Sequence, residues 1–343
     1  MAVATIRDVA RRAQVSVASV SRALNGLNNV RPATRERVIA AANELGYVPH
    51  AGARSLSLAR AHAIGVVLPD LYGEFFSEIV RGMDREASRR GYLLLLSNMH
   101  ADGDQAAMAL GAMRGRVDAL VLMAPHIAPE VLARALPPAL PALLINSPGD
   151  FGTRPALRLD NAAGAEAVVQ HLVESGRRHI VHIAGPAGNI DAEERAEGYR
   201  LAMRRHAPDA ECVVLPGDFT EEGGEAAARE IMRRTKPCDA IFAANDMMAI
   251  GCLQALRAGG VPVPEEVAVA GFDDVPLARY LALTTVSVRI AEIGERAVAR
   301  LIGLLDGEAD EAGCELHAPE LIVRATTGPG ASGAASRPRA GGI

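Results

Sequence analysis

From Ile64 onward one pattern repeats: a short, wholly apolar run followed by a longer amphipathic stretch. The runs IGVVLPD, YLLLLS, DALVLM and PALLIN are separated by segments of helical periodicity over about 75–90, 104–114 and 129–136. A second series opens with ALRLD and a helix over 161–174, and continues through HIVHIAG, ECVVLPG, DAIFAAN and VAVAGFDD. A strand that is apolar throughout is buried on both faces, so helices must cover both sides of its sheet. The expected body is therefore α/β with doubly wound parallel sheets. Two series predict two lobes, with a ligand cleft near the carboxyl ends of the strands.

The first fifty residues follow another rule. Thr5-Ile6-Arg7-Asp8 is a capping-box pattern that starts a helix with Ile6, Val9, Ala10 and Ala13 on one face. Ser16 caps a second helix, Val17 to Leu24, with Val17, Val20 and Leu24 at i, i+3 and i+7. Two short helices joined by a tight turn read as helix-turn-helix. Pro32 and Gly46 bracket a third helix, for which Val38, Ile39, Ala42 and Leu45 are the expected buried stripe. The segment PHAGARSLSLAR, with a proline and Gly52, is a weak helix former and reads as a conditional linker.

Charge divides the chain the same way. The net charge is −5, yet residues 1–60 carry nine arginines against Asp8, Glu36 and Glu44, a balance of +6 that leaves −11 for the rest. A cationic end on an anionic body is the footprint of a nucleic-acid-binding module attached to something else. The first twenty residues have the pattern of neither an export signal nor a membrane anchor, so the expected location is cytoplasmic and nucleoid-associated, with no membrane partner. The four cysteines (Cys212, Cys238, Cys252 and Cys314) lack metal-ligand spacing and are expected to be reduced and packed in the core. No metal or cofactor is expected.

TIRDVARRAQVSVASVSRALNG followed by VRPATRERVIAAANELGYVPHAGARSL closely resembles the headpiece and hinge of the LacI/GalR family of bacterial transcription regulators. The resemblance continues through IGVVLPD, HLVESGRRHIVHIAGP, AANDMMAIGCLQALRAGGVPVPEEVAVAGFDD and LTTV, covering about residues 4 to 327. DAEERAEGY and FDDVPLARY look most like its galactose-repressor branch. It implies an all-α helix-turn-helix headpiece (1–48), a hinge (49–60) and a two-lobed periplasmic-binding-protein-like domain (61–327); the Gly/Pro/Ser-rich tail, 328–343, reads by composition as disordered. The N-lobe would comprise about 61–158 plus 289–318, and the C-lobe about 159–288 plus 319–327.

In such regulators the second helix enters the major groove. Here that implies Val17, Ala18 and Arg22 at base edges: Arg22 can donate twice to a guanine, and the apolar pair can touch a thymine methyl. Thr5, Ser16, Ser19, Ser21, Asn25, Asn29 and Thr34 complete the implied DNA-facing set of the headpiece, the hydroxyls and amides holding phosphates. The hinge would place Leu56, with Ala53 beside it, as a minor-groove wedge. Other readings stay open: Ser16 is simply an N-cap, Val17 packs inward, or Leu56 packs on the body.

For the cleft the resemblance implies Asp70, Phe75, Phe76, Asn146, Arg195, Phe219, Asn245 and Asp273 as effector contacts. Bidentate polar groups suit vicinal hydroxyls, and an aromatic face suits the C–H side of a sugar. Arg195 and Asp273 would clamp hydroxyls, Asn146 and Asn245 would be amide partners, and Phe219 a stacking wall. Against this, Arg195 can pair with Asp191 on an exposed helix face, Asp273 can cap a turn, and Phe75 or Phe76 can be core. Asn146-Ser147 departs from the acidic-arginine pair of many relatives.

The expected function is allosteric repression of carbohydrate genes. A homodimer binds a pseudo-palindromic operator under control of a small sugar, or, alternatively, of a nucleobase or other metabolite acting as corepressor. A cytoplasmic solute-binding module is a distant alternative. Gly185-Pro186-Ala187-Gly188 lacks the spacing of a dinucleotide fingerprint and no P-loop or nucleophile elbow is present, so no enzyme is expected.

Overall fold

A computed structural model describes residues 4–25, 30–47, 60–149, 154–308 and 313–328. The headpiece contains α1 (Ile6–Ala13), α2 (Val17–Leu24) and α3 (Pro32–Glu44). The Asp8 carboxylate caps α1 in reverse, accepting from the Thr5 backbone N–H at 3.0 Å and from its hydroxyl at 2.6 Å. Gln14 turns the chain in a left-handed conformation between α1 and α2. Val9, Val20 and Val38 are fully buried where the three helices meet, and Ala10, Ala13, Ala23, Ala41 and Ala42 surround them.

Those alanines correct the expected stripe on α3. Ile39 is exposed and Leu45 only half-buried, while Ala41 takes the inner position. Val9, Val20 and Val38 already fill the centre, so the inner position beside them on α3 has room for alanine's methyl group only. The stripe on α2 is likewise Val20 and Ala23 with half-buried Leu24, and Val17 stands outside it.

The first lobe is one parallel sheet. Its strands are β1 (Ala63–Leu68), β2 (Leu93–Asn98), β3 (Ala119–Met123), β4 (Ala142–Ile145), β5 (Ala156–Leu159) and, from the distant end of the chain, β11 (Cys314–His317), in the order β11-β5-β4-β3-β1-β2. Helix α4 (Glu74–Arg89) covers one face together with α12 (Ile290–Leu305); α5 (Gly103–Met113) and α6 (Pro129–Ala135) cover the other. Gly82 and Gly294 permit the close crossing of α4 and α12, because a Cβ at Gly82 would meet the Ala291 carbonyl oxygen at 1.9 Å. Edge strand β2 carries Leu93, Leu95 and Leu96 exposed, and Met108 of α5 is exposed as well.

The second lobe holds a four-stranded parallel sheet, β7-β6-β8-β9, from β6 (Ile180–Ile183), β7 (Val213–Leu215), β8 (Ala240–Ala243) and β9 (Ala268–Ala270). Its helices are α7 (Asn161–Glu174), α8 (Ile190–His206), α9 (Glu221–Arg233), α10 (Asp246–Ala258) and the short α11 (Pro276–Tyr280). A ribbon of β10 (Thr285–Ser287) and β12 (Glu320–Ile322) accompanies the crossovers between the lobes. His182, fully buried in β6, bonds the Phe242 carbonyl oxygen at 2.9 Å and stacks on Tyr199; burial pushes its pKa down to about 3.

The cysteines need a second correction. Cys252 is buried and Cys238 half-buried, but Cys212 and Cys314 are exposed. The exposed two stand at the beginnings of edge strands β7 and β11, which lack a covering neighbour on one side. Among the described residues no helix is long and apolar enough to cross a membrane.

Candidate functional site

Helix α2 presents its N-terminal end outward. Val17 is 41% exposed, which removes the inward-packing reading, and Ala18 and Arg22 are exposed on the same helix. Ser16 is the N-cap: its hydroxyl oxygen accepts from the Ser19 backbone N–H at 3.2 Å and lies 2.9 Å from the Ser19 hydroxyl. No acidic residue occupies the first turn of α2, so the partial positive charge of the helix start is left for an outside anion. Asn25 donates to the Ser21 hydroxyl at 3.3 Å, and Thr34 is half-buried in the first turn of α3. The expected contacts Asn29, Ala53 and Leu56, like most of the hinge and the tail beyond Gly328, lie outside the described residues.

Between the two lobes is a cavity of about 350 Å³. Seven of the eight expected effector residues line it: Asp70, Phe75, Phe76, Arg195, Phe219, Asn245 and Asp273. Its walls are the loops at the carboxyl ends of the strands, as doubly wound sheets require.

Arg195 is buried at the centre of the C-lobe wall. Its Nε donates to Asn161 Oδ1 at 2.9 Å and its Nη1 to the Ala244 carbonyl oxygen at 2.6 Å, while Phe272 lies beneath it, 3.8 Å from guanidinium carbon to ring centre. Asp191 does not pair with it on an exposed face. Both residues are buried, and Asn161 stands between them, donating through Nδ2 to Asp191 Oδ1 at 2.9 Å. Arg195 Nη2 is 3.4 Å from Asp273 Oδ1, an ion-pair distance without hydrogen-bond geometry, so that oxygen has no hydrogen-bond partner among the described residues. Burial raises the Asp273 carboxyl to about 7, against the opposing pull of Arg195.

Phe219 has a left-handed backbone, φ 68°, and its ring lies against Gly185, where a Cβ would stand 2.3 Å from it. This is the local reason for glycine in the Gly-Pro-Ala-Gly segment. Asn245 caps α10 by accepting from Met248 N at 3.0 Å, and its Nδ2 donates to the Phe219 carbonyl oxygen at 3.0 Å. Across the cavity, Phe75 and Phe76 meet edge to face at 5.4 Å; they pack on the core and line the cavity at once. Asp70 Oδ1 accepts from the N–H groups of Leu71 and Tyr72, fixing the loop after β1.

Asn146 is corrected. It is absent from the cavity wall, has a left-handed backbone at φ 42°, and its Oδ1 accepts from Leu159 N at 3.0 Å. Its amide ties the end of β4 to β5 and faces a small void beside Ile293 and His317. Sequence reasoning missed Tyr72, His100, His126, Asn189, Asp191, Asp218 and Thr220 in the wall, and Phe272 beneath Arg195. The usable signal was position: His126 follows β3 and Asp218 follows β7, at the strand ends where cleft residues belong. Asn189 caps α8 and donates to His126 Nε2 at 3.1 Å, a bond between the lobes.

Comparison with known proteins gives two family matches: "Bacterial regulatory proteins, lacI family" over residues 5–50 and "Periplasmic binding protein-like domain" over 169–327. The ribose operon repressor of Escherichia coli (strain K12) is 36% identical over 308 residues, covering 87% of this chain and 92% of that protein. A crystal structure of the lac repressor dimer bound to operator and an anti-inducer superposes with a TM-score of 0.83 at 28% identity, over 95% of this chain and 99% of that one. The complex of the transcriptional regulator CelR with cellobiose gives a TM-score of 0.69 at 32% identity, over 94% and 99%.

Proposed function

This chain belongs to the lacI family of bacterial regulatory proteins and is a DNA-binding transcription regulator, not an enzyme, and from that premise we propose that it represses carbohydrate catabolism or transport genes under control of a small sugar. The observation that carries the effector half of the reading is the cavity between the lobes. Buried Arg195 and Asp273 stand opposite the edge-to-face pair Phe75 and Phe76, polar groups facing an aromatic wall as a sugar requires. The CelR complex with cellobiose supports this reading, as does the ribose operon repressor.

The DNA half rests on the outward start of α2. Val17, Ala18 and Arg22 read base edges, and Ser16, Ser19, Ser21, Asn25 and Thr34 hold phosphates, with Thr5 and Asn29 beside them. Ala53 and Leu56 of the hinge enter the minor groove. A homodimer presents two headpieces to a pseudo-palindromic operator in the cytoplasm, at the nucleoid. The apolar edge of β2, with Leu93 72% exposed, suits the pairing of two such bodies. Residues 1–48 bind DNA, 49–60 connect, and 61–327 bind effector and partner subunit.

Fluorescence anisotropy of the full chain on operator DNA from upstream of its own gene, titrated with mono- and disaccharides and purine bases, tests this. One sugar should shift operator affinity by about tenfold, a coupling of about 1.4 kcal/mol that operator must return to the sugar. Tight DNA binding that no sugar moves would overturn the effector assignment and leave the regulator.

A further inference from the structure

Four helices begin at the cavity wall. Gly73, Asn189, Thr220 and Asn245 precede α4, α8, α9 and α10, and all four line the cavity. A helix start is the usual seat for a phosphate, through its unpaired N–H groups and partial positive charge. Here each is answered from within the chain. Glu74, Asp191, Glu221 and Asp246 occupy the four first turns. Side chains also cap three of the helices: Asn189 accepts from Ala192 N, Thr220 from Gly223 N and Asn245 from Met248 N. The Ile190 N–H, first in α8, donates across the cleft to the Pro125 carbonyl oxygen at 3.1 Å.

The side chains repeat that bias. Among the described residues the lining contains one arginine and no lysine, and Arg195 already directs donors to Asn161 and Ala244 and is paired in charge with Asp273. Burial lowers the pKa of His126, favouring its uncharged form. Four carboxyl residues share the same wall: burial raises Asp191 and Asp273 toward the neutral acid, and the exposed Asp70 and Asp218 are the ones that set its charge. Buried Asp273 Oδ1 lacks a hydrogen-bond partner among the described residues, so the wall calls for a donor from the ligand.

From this arrangement we infer that the cavity takes an uncharged effector rich in hydroxyl or N–H donors, and that its acidic wall and occupied helix starts reject the phosphorylated form of the same molecule. The inference rests on the cavity being the effector site and adds to it a sign of charge. Discrimination of this kind comes from what is placed against the wrong ligand as much as from contacts to the right one.

Isothermal titration calorimetry of the full chain with two matched pairs tests it: D-ribose against D-ribose 5-phosphate, and adenosine against adenosine 5′-monophosphate. A neutral member that binds should bind at least about 100-fold more tightly than its phosphorylated partner, and Asp70→Asn and Asp218→Asn should each narrow that gap. A phosphorylated member that binds as tightly as its neutral partner, or more so, overturns the inference. If neither neutral member binds, the sugar reading of the site loses support, and charge rejection is still decided by inorganic phosphate alone. Saturable phosphate binding by the wild type that either Asn variant tightens further would put an anion in the unaltered cavity and overturn the inference. Phosphate heat that is absent, or indifferent to both variants, upholds it.

Discussion

The guanidinium of Arg195 lies flat over Phe272 at 3.8 Å and reaches Asp273 only at 3.4 Å, so the buried carboxylate is close to a cation without being hydrogen-bonded by it. Both groups that Arg195 does hydrogen-bond, Asn161 Oδ1 and the Ala244 carbonyl oxygen, belong to the fixed frame of the C-lobe. The geometry holds the guanidinium in place and leaves Asp273 under-satisfied, a suitable arrangement for a ligand hydroxyl inserted between them.

Asp273 makes stability fall as pH rises. Its folded value of about 7 lies above its ordinary value of 3.8. Below the ordinary value both states hold the proton and the contribution is fully present; it is lost as pH rises through about 7 and the buried group ionises. Asp273→Asn keeps a neutral amide at every pH. The variant should therefore lose less stability than the wild type between about pH 5 and about pH 8, read as urea midpoints. Asp191 and Asp246 are raised in the same direction, so the variant keeps part of the slope. An identical fall in both proteins would assign the titration to those groups instead.

Arg195→Lys tests the directional part of the site. Lysine keeps the charge beside Asp273 but lacks the planar fork that reaches Asn161 and Ala244 together. The effector shift of operator affinity, expected at about tenfold in the wild type, should disappear, while operator affinity without effector stays within about threefold. An unchanged response in anisotropy would show that ligand does not depend on the guanidinium geometry.

The contact between α4 and α12 sets a stability test away from the ligand. A methyl at Gly82 would stand 1.9 Å from the Ala291 carbonyl oxygen, backbone that no rotamer change can move. Gly82→Ala should cost about 1–3 kcal/mol through overpacking. Gly111→Ala serves as its control, since among the described residues nothing beyond its own stretch of helix lies within 4 Å of the added Cβ there. Relieved of glycine's entropy, that variant should gain about 0.5–1 kcal/mol. Denaturation midpoints that moved together would refute the steric account.

Much of this was legible in the sequence because burial on both faces of a strand, and the ends of helices, leave local marks. Val17 to Leu24 and Asn161 to Glu174 are helices with the expected bounds. What stayed hidden was direction. Asn146 and Asn245 both end apolar strands, and the sequence treats them alike. A left-handed backbone turns the Asn146 amide to Leu159 N, whereas the extended backbone of Asn245 sends its amide to the cavity and α10. Ile39 failed similarly: helical period alone does not separate it from Ala41, and the closeness of three short helices selects the smaller residue. Phe272 under Arg195 depends on two segments far apart in the chain, which no local pattern reports.

Arg22 gives the last test, at the other end of the molecule. It is exposed in the last turn of α2, the helix whose first turn holds no acidic residue and whose Val17 points outward. If it reads a guanine through two parallel donors, Arg22→Ala should cost about 1–3 kcal/mol of discrimination at one base pair in each half-site. A phosphate contact behaves differently: its loss weakens binding to all sequences alike and lowers the salt slope by about one. Operator and scrambled duplexes, each titrated at several salt concentrations, separate the two. Loss confined to the operator duplex, and to one position in single-base variants, assigns Arg22 to base reading. Equal loss on both duplexes with a shallower salt slope would move it to the phosphates and leave Val17 and Ala18 as the base contacts of α2.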